Sequence, residues 1–224
     1  MSEWWTYRSA DFLMFAPRTY WRLFELQNAA WWPAPWVFSL LAMALAIGLW
    51  RRPAQAARVG LIGAALAWAW VAWSFLWWRY TPINWAASAF AIAFALQALG
   101  LLALAWRRPH ATTSPGRRRL GLGLLLWAVG PHPALALVFG RPWSQAEVIG
   151  LAPDPTAIAT LGLLLCLDAH PRALPWALRA GAVAWLLLSA ATLATLGSAQ
   201  AVVPLAAALL ALVSPGPRGA VRAA

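Results

Sequence analysis

Six carboxylic acids, three histidines and one cysteine are the side chains of this 224-residue chain that could serve as acids, bases or metal ligands. Acid–base catalysis and metal binding both need such groups to converge. The histidines do not promise that. His110 and His170 each adjoin a proline, Pro109 and Pro171, which marks loop positions, and no HxxxH or HExxH spacing occurs. His132 stands alone between Pro131 and Pro133, where the loss of backbone N–H groups predicts a break in a helix. Cys166 is the single cysteine, inside an apolar run, so neither an internal disulfide nor a thiolate cluster is expected. Gly121-Leu122-Gly123 has no strand before it and no Lys, Ser or Thr after it, as a phosphate cradle would need. No catalytic residue, metal or cofactor is assigned on these grounds.

The elements that carry these residues are hydrophobic. The chain is 62% apolar and 10% charged, where a soluble domain carries roughly 25% charged residues. All 17 basic residues are Arg, against six acids, giving a net charge of +11. A nucleic-acid footprint would need a basic face on a soluble fold. Here the arginines fall in short clusters between long apolar runs, so no nucleic-acid partner is expected. The first 30 residues lack the order of a cleaved signal peptide.

A helix needs about 20 apolar residues to cross the hydrocarbon. Runs at about 31–50, 57–78, 83–106, 120–139 and 176–196 satisfy this; shorter runs at 154–167 and 200–213 complete a set of seven if they span, the alternative being a buried or re-entrant piece. Asp154 and Pro155 suit a helix start in the first of the short runs. Seven crossings place twelve arginines with Asp168 on one side, and five arginines with five acids on the other. The positive-inside rule then puts the N-terminus in the periplasm and residues 214–224 in a cytoplasmic tail. The basic connector Arg107 to Arg119 faces anionic lipid in this arrangement. The expected fold is therefore an all-α membrane protein, a seven-helix transmembrane bundle over residues 31–213 capped by an amphipathic interfacial segment, residues 1–30.

Within that cap, Ser9 can start a turn over Asp11 to Phe15, and Pro17 can start a helix through Asn28. Tyr20, Leu23, Phe24 and Gln27 or Asn28 then share one face, while Arg18, Arg22 and Glu25 share another, with Arg22 and Glu25 spaced to pair. Trp4, Trp5, Tyr7, Asp11, Arg18, Tyr20, Arg22, Glu25, Arg79, Tyr80, Asn84, Arg141, Trp143, Glu147 and Asp154 all fall on the outer side, and are the candidate ligand- or partner-binding residues. Pairing among these charges would fold the cap down onto the bundle. The stripe Trp68, Trp70, Trp73 and Trp77 reads as helix packing or lipid contact, and pairs such as Gly60 with Ala64 favour close helix contacts.

Glu3-Trp4-Trp5-Thr6-Tyr7, Ser9-Ala10-Asp11-Phe12-Leu13 and Phe15-Ala16-Pro17-Arg18-Thr19-Tyr20 resemble the opening of a domain-of-unknown-function family of small bacterial multi-pass membrane proteins. Arg79-Tyr80-Thr81-Pro82-Ile83-Asn84-Trp85, Gly140-Arg141-Pro142-Trp143 through Glu147, and Pro153-Asp154-Pro155-Thr156 are similar to its other recurring motifs. The resemblance implies a bacterial inner-membrane protein and brings no activity with it. The leading expectation is a non-catalytic membrane subunit or scaffold that offers its outer cap to another membrane or periplasmic protein. A transporter or channel for a small neutral solute would instead need a polar cavity joining Asn84, Ser88, Gln97 and the His132 break. A membrane enzyme would need Asp11, Glu25, Glu147 or Asp154 to converge in an open pocket.

Overall fold

The computed structural model describes residues 15–112, 114–169 and 172–214. The chain is a helical assembly whose helix starts are set by proline. α1 (Pro17–Ala30), α2 (Ala34–Arg51), α3 (Pro53–Val71), α5 (Pro115–Val129), α6 (Pro131–Val138) and α7 (Pro153–Leu165) all carry Pro in their first two positions. There its missing N–H costs nothing and its fixed φ favours the first turn. α4 (Ala87–Trp106), α8 (Ala173–Thr195) and α9 (Val202–Val213) complete the set among the described residues.

Four continuous helices are long and apolar enough to cross a membrane: α2, α3 with its extension to Tyr80, α4 and α8. α5 and α6 form a fifth only if taken together, because they meet at a 47° bend. That bend lies at Gly130–Pro131, where the paired prolines flanking His132 remove two helix donors. The extension of α3 is a π-helix over Ala72–Tyr80, and α4 starts at Ala87 rather than at Ile83.

α7 and α9 are 13 and 12 residues long, short of the ~20 a lipid-facing span requires. α7 compensates by position: every residue from Pro153 to Leu165 is buried. It is the central strut of the bundle, and a helix enclosed by protein need not match the hydrocarbon thickness. Its tightest neighbour is α5, at the crossing of Gly121 and Gly162. A Cβ on either glycine would lie 2.5 Å from the other's carbonyl oxygen. α4 meets α8 where Gln97 donates to the Leu178 carbonyl at 2.7 Å, beside Gly181.

The connections gather at two ends. At one, His110–Ala111 (β1) pairs antiparallel with Leu167–Asp168 (β2), so the basic connector is pinned to the exit of α7 rather than free. Three arginines at this end bind backbone carbonyls of β2 and of the last turns of α2 and α9. Arg117 donates to Leu167 at 3.1 Å and to the Asp168 carboxylate at 2.6 Å. Arg118 donates to Leu49 and Trp50 at 3.1 and 2.6 Å, and Arg179 to Ala211 at 2.6 Å. Arg51, Arg52, Arg58, Arg107, Arg108 and Arg119 are exposed. The opposite end holds α1, the π-helix, the α6–α7 connection and the short turn Ala199–Ala201 before α9.

The candidate functional site

α1 lies on that opposite end with Tyr20, Trp21, Leu23, Phe24 and Gln27 turned inward. Its aromatic side interlocks with the bundle: Phe24 stacks on Phe75 at 4.9 Å between centroids, and Tyr20 meets Tyr80 edge-on at 6.1 Å. Polar contacts fix its position. Gln27 donates to Ser74 at 2.8 Å and accepts from Nε of Arg79, both on the π-helix. Asn28 donates to the carbonyls of Ser144 and Ala146 at 2.9 and 2.8 Å. On the outer side Arg22 pairs with Glu25, the spacing expected of i,i+3, and Gln145 donates to Glu25 at 3.3 Å.

Beneath α1 is a buried polar cluster. The Arg141 guanidinium lies over the Trp21 ring at 3.5 Å and donates to the Gln145 carbonyl at 3.1 Å. Its Nη2 is 3.8 Å from Oε2 of Glu147, and the Gln200 amide lies between the two, accepting from Arg141 and donating to Glu147. Glu147 is 2% exposed, and its Oε1 has no hydrogen-bond partner among the described residues. Burial first, and the neighbouring Asp154 carboxylate second, push the Glu147 carboxyl up to about 8; Arg141 and Gln200 pull against them and lose. Burial also lifts the Tyr20 hydroxyl well above its ordinary value.

Asp154 sits in the first turn of α7, where the helix dipole favours an anion. Trp185 and Ser189 of α8 donate to its two oxygens at 2.8 and 2.5 Å. His132, in the first turn of α6, is 1% exposed, and neither ring nitrogen has a partner among the described residues. The cluster thus combines two carboxylates, a guanidinium and an imidazole. Ser189 donates to a carboxylate without an intervening histidine, which is not a nucleophile–base arrangement. No group of three or more His, Cys, Asp or Glu able to hold a metal occurs among the described residues.

The expected site residues therefore separate into groups. Tyr20, Arg141, Glu147 and Asp154 come together, but inside the molecule rather than on a shared surface. Arg79 and Tyr80 hold α1 through Gln27 and the aromatic cluster. Asn84 accepts from the N–H of Ala86 at 3.0 Å and shapes the start of α4. Arg18, Arg22 and Trp143 are exposed. Trp4, Trp5, Tyr7 and Asp11 lie outside the described residues. Gln200, Trp21, Trp185 and His132 belong to the cluster although sequence reasoning did not place them there. For Gln200 a signal existed, a lone amide at the head of an apolar run.

Beside the cluster, a cleft of about 770 Å³ opens between α1, the start of α2, the α5–α6 bend and the short turn at Trp143–Gln145. Glu25, Asn28 and Ser144 line it with Trp32, Trp36 and Trp143, and Val129, Pro133 and Val148 form its deeper wall.

No curated protein and no solved structure matches the chain. Residues 18–218 match one family of unknown function, from the first turn of α1 to beyond α9. The chain, a helical protein with several membrane-length helices, belongs to that family, DUF6064.

Proposed function

We propose that the chain is a bacterial inner-membrane protein with seven crossings, and that it works as a non-catalytic subunit or scaffold whose α1 cap receives a partner protein in the periplasm. The observation that carries this reading is the division of labour on α1. Its inner face is fully engaged by Gln27, Asn28, Tyr20 and Phe24. Its outer face leaves Arg18, Arg22 and Leu26 exposed, near exposed Trp32 and Trp143. Aromatic and Arg side chains of this kind are the usual anchors of protein interfaces. The orientation is supported by the exposed arginines around β1 and β2, which suit the cytoplasmic face and its anionic lipids.

Photo-crosslinking residues introduced at Arg18 and Leu26, one at a time, test it in intact cells. One recurring protein adduct from both positions, absent from a crosslinker at Trp106 on the other end, is the expected result. Lipid adducts alone, with the purified chain monomeric and without a companion, overturn it.

A membrane enzyme draws some support from the convergence of Glu147 and Asp154, but α1 closes over them, and an open pocket is what that chemistry needs. A neutral-solute path has less support. Gln97 is bonded to Leu178, Ser88 to the carbonyl of Trp85 and Asn84 to Ala86, so the groups it would join are separate.

A further inference from the structure

The cleft beside α1 shares Asn28, Ser144 and Ala146 with the contacts that hold the cap, and the rest of its lining has a chemical bias. Glu25 is the one charged side chain among the residues that line it, and three tryptophans present ring surface to it. Val129 lines the cleft. The site is therefore a largely apolar cleft with π-faces and a single carboxylate at its rim. Arg141, the nearest buried cation on the α6–α7 connection, is committed to Trp21 and Gln200 beneath α1. Arg22, paired with Glu25, stays at the exposed edge.

An occupant must match this order: an ammonium that joins Arg22 and Gln145 as a donor to Glu25 and faces the aromatic rings; an anion toward Arg22; and an apolar chain along Val129, Pro133 and Val148. The geometry points to a binding site for a zwitterionic phospholipid with a primary ammonium head, its head group at Glu25 and the rim tryptophans and one acyl chain in the cleft. The volume falls within the roughly 300–1,000 Å³ of ordinary small-ligand sites. A trimethylammonium head keeps the cation–π attraction but cannot donate a hydrogen bond to Glu25. An anionic glycerol head offers no cation to Glu25 at all. The site rests on the membrane reading and shares Arg22, Trp32 and Trp143 with the surface proposed for a partner, so lipid retention is measured on the purified chain alone, where its failure leaves the partner reading standing.

The test uses the full chain in mild detergent, offered phosphatidylethanolamine, phosphatidylcholine and phosphatidylglycerol of identical acyl chains, with bound lipid counted by native mass spectrometry. Phosphatidylethanolamine should be retained about threefold or more over phosphatidylglycerol, with phosphatidylcholine between them. Glu25→Gln and Trp143→Leu should each abolish that preference, and Trp106→Leu, on the opposite end, should leave it intact. Both cleft variants alter exposed or half-buried groups, and an unchanged melting temperature certifies their fold. Trp36→Leu replaces either one that fails this check. Equal retention of the three lipids, preference for phosphatidylglycerol, or a preference that survives the cleft variants overturns the site. So does a preference lost equally in Trp106→Leu.

Discussion

Gln200 is the residue on which the outer cluster turns. Arg141 and Glu147 are 3.8 Å apart, too far for a strong direct bond, and the single amide satisfies one end of each. Gln200→Leu keeps the volume and removes both contacts, leaving two buried charge-bearing groups short of partners. A loss of about 1–3 kcal/mol is expected, read as a fall in melting temperature in detergent; an unchanged melt would show that Arg141 and Glu147 repair the gap alone. Glu147 adds a pH dependence. Its carboxyl is held up to about 8 by burial and by Asp154, against an ordinary value of 4.5. The folded chain therefore binds that proton more tightly than the unfolded one. Its contribution is complete below the ordinary value and is lost as pH rises through about 8. Melting temperature should fall between about pH 5 and pH 9, and Glu147→Gln should flatten the slope; an equal slope in the variant would move the effect to another group. None of this was legible at the sequence level beyond the presence of acids and arginines on one side. Gln200 reaches partners 53 and 59 positions away, and local periodicity carries no information about such pairs.

Among elements, α1 was the most readable. A strict 3.6-residue alternation of apolar and charged positions predicted both its faces and the Arg22–Glu25 pair, because a helix at an interface has only one wet side. The bend at Pro131 was readable for the same kind of reason, a missing donor. α7 was not. Apart from Asp154, Thr156 and Thr160 it is apolar all round, and such a helix looks alike whether it faces lipid or protein; its 13-residue length is what marks a buried piece as the alternative to a span. The glycines that permit this enclosure, Gly121 and Gly162, are not spaced as a motif within one helix, since each serves a crossing with the other. Their contact is backbone against backbone, so Gly162→Ala has no flexible neighbour to push aside: the added Cβ meets the Gly121 carbonyl at 2.5 Å. Gly60→Ala meets only the ends of Leu45 and Leu163 side chains, at 2.8 and 3.0 Å. The first should cost about 1–3 kcal/mol and the second distinctly less, measured by thermal melts of the two variants side by side. Equal losses would mean that α5 and α7 can separate without penalty.

At the scale of the molecule, arginine does two separate jobs, which explains why a basic chain without lysine can be built this way. Arg117, Arg118 and Arg179 spend their planar, multi-donor heads on carbonyls at the ends of β2, α2 and α9, a task for which a lysine's single ammonium is less suited. Arg51, Arg52, Arg58, Arg107, Arg108 and Arg119 remain exposed at the same end, and in the proposed topology it is this set that orients the chain. The two jobs are separable by experiment. With Cys166, which is buried, replaced by Ala, cysteines introduced at the exposed Ser144 and Arg119 should report opposite sides. Ser144→Cys should react with an impermeant maleimide in intact cells, and Arg119→Cys only after the membrane is opened. Replacing Arg51, Arg52 and Arg58 together by Gln should blur that distinction while leaving the melting temperature nearly unchanged, because none of the three caps a described helix end through its side chain. Replacing Arg117, Arg118 and Arg179 by Gln should do the reverse, lowering the melting temperature by several degrees through lost carbonyl contacts while the labelling stays asymmetric. If both sets disturbed orientation and stability alike, the partition of arginines into fasteners and orienting charges would have no basis.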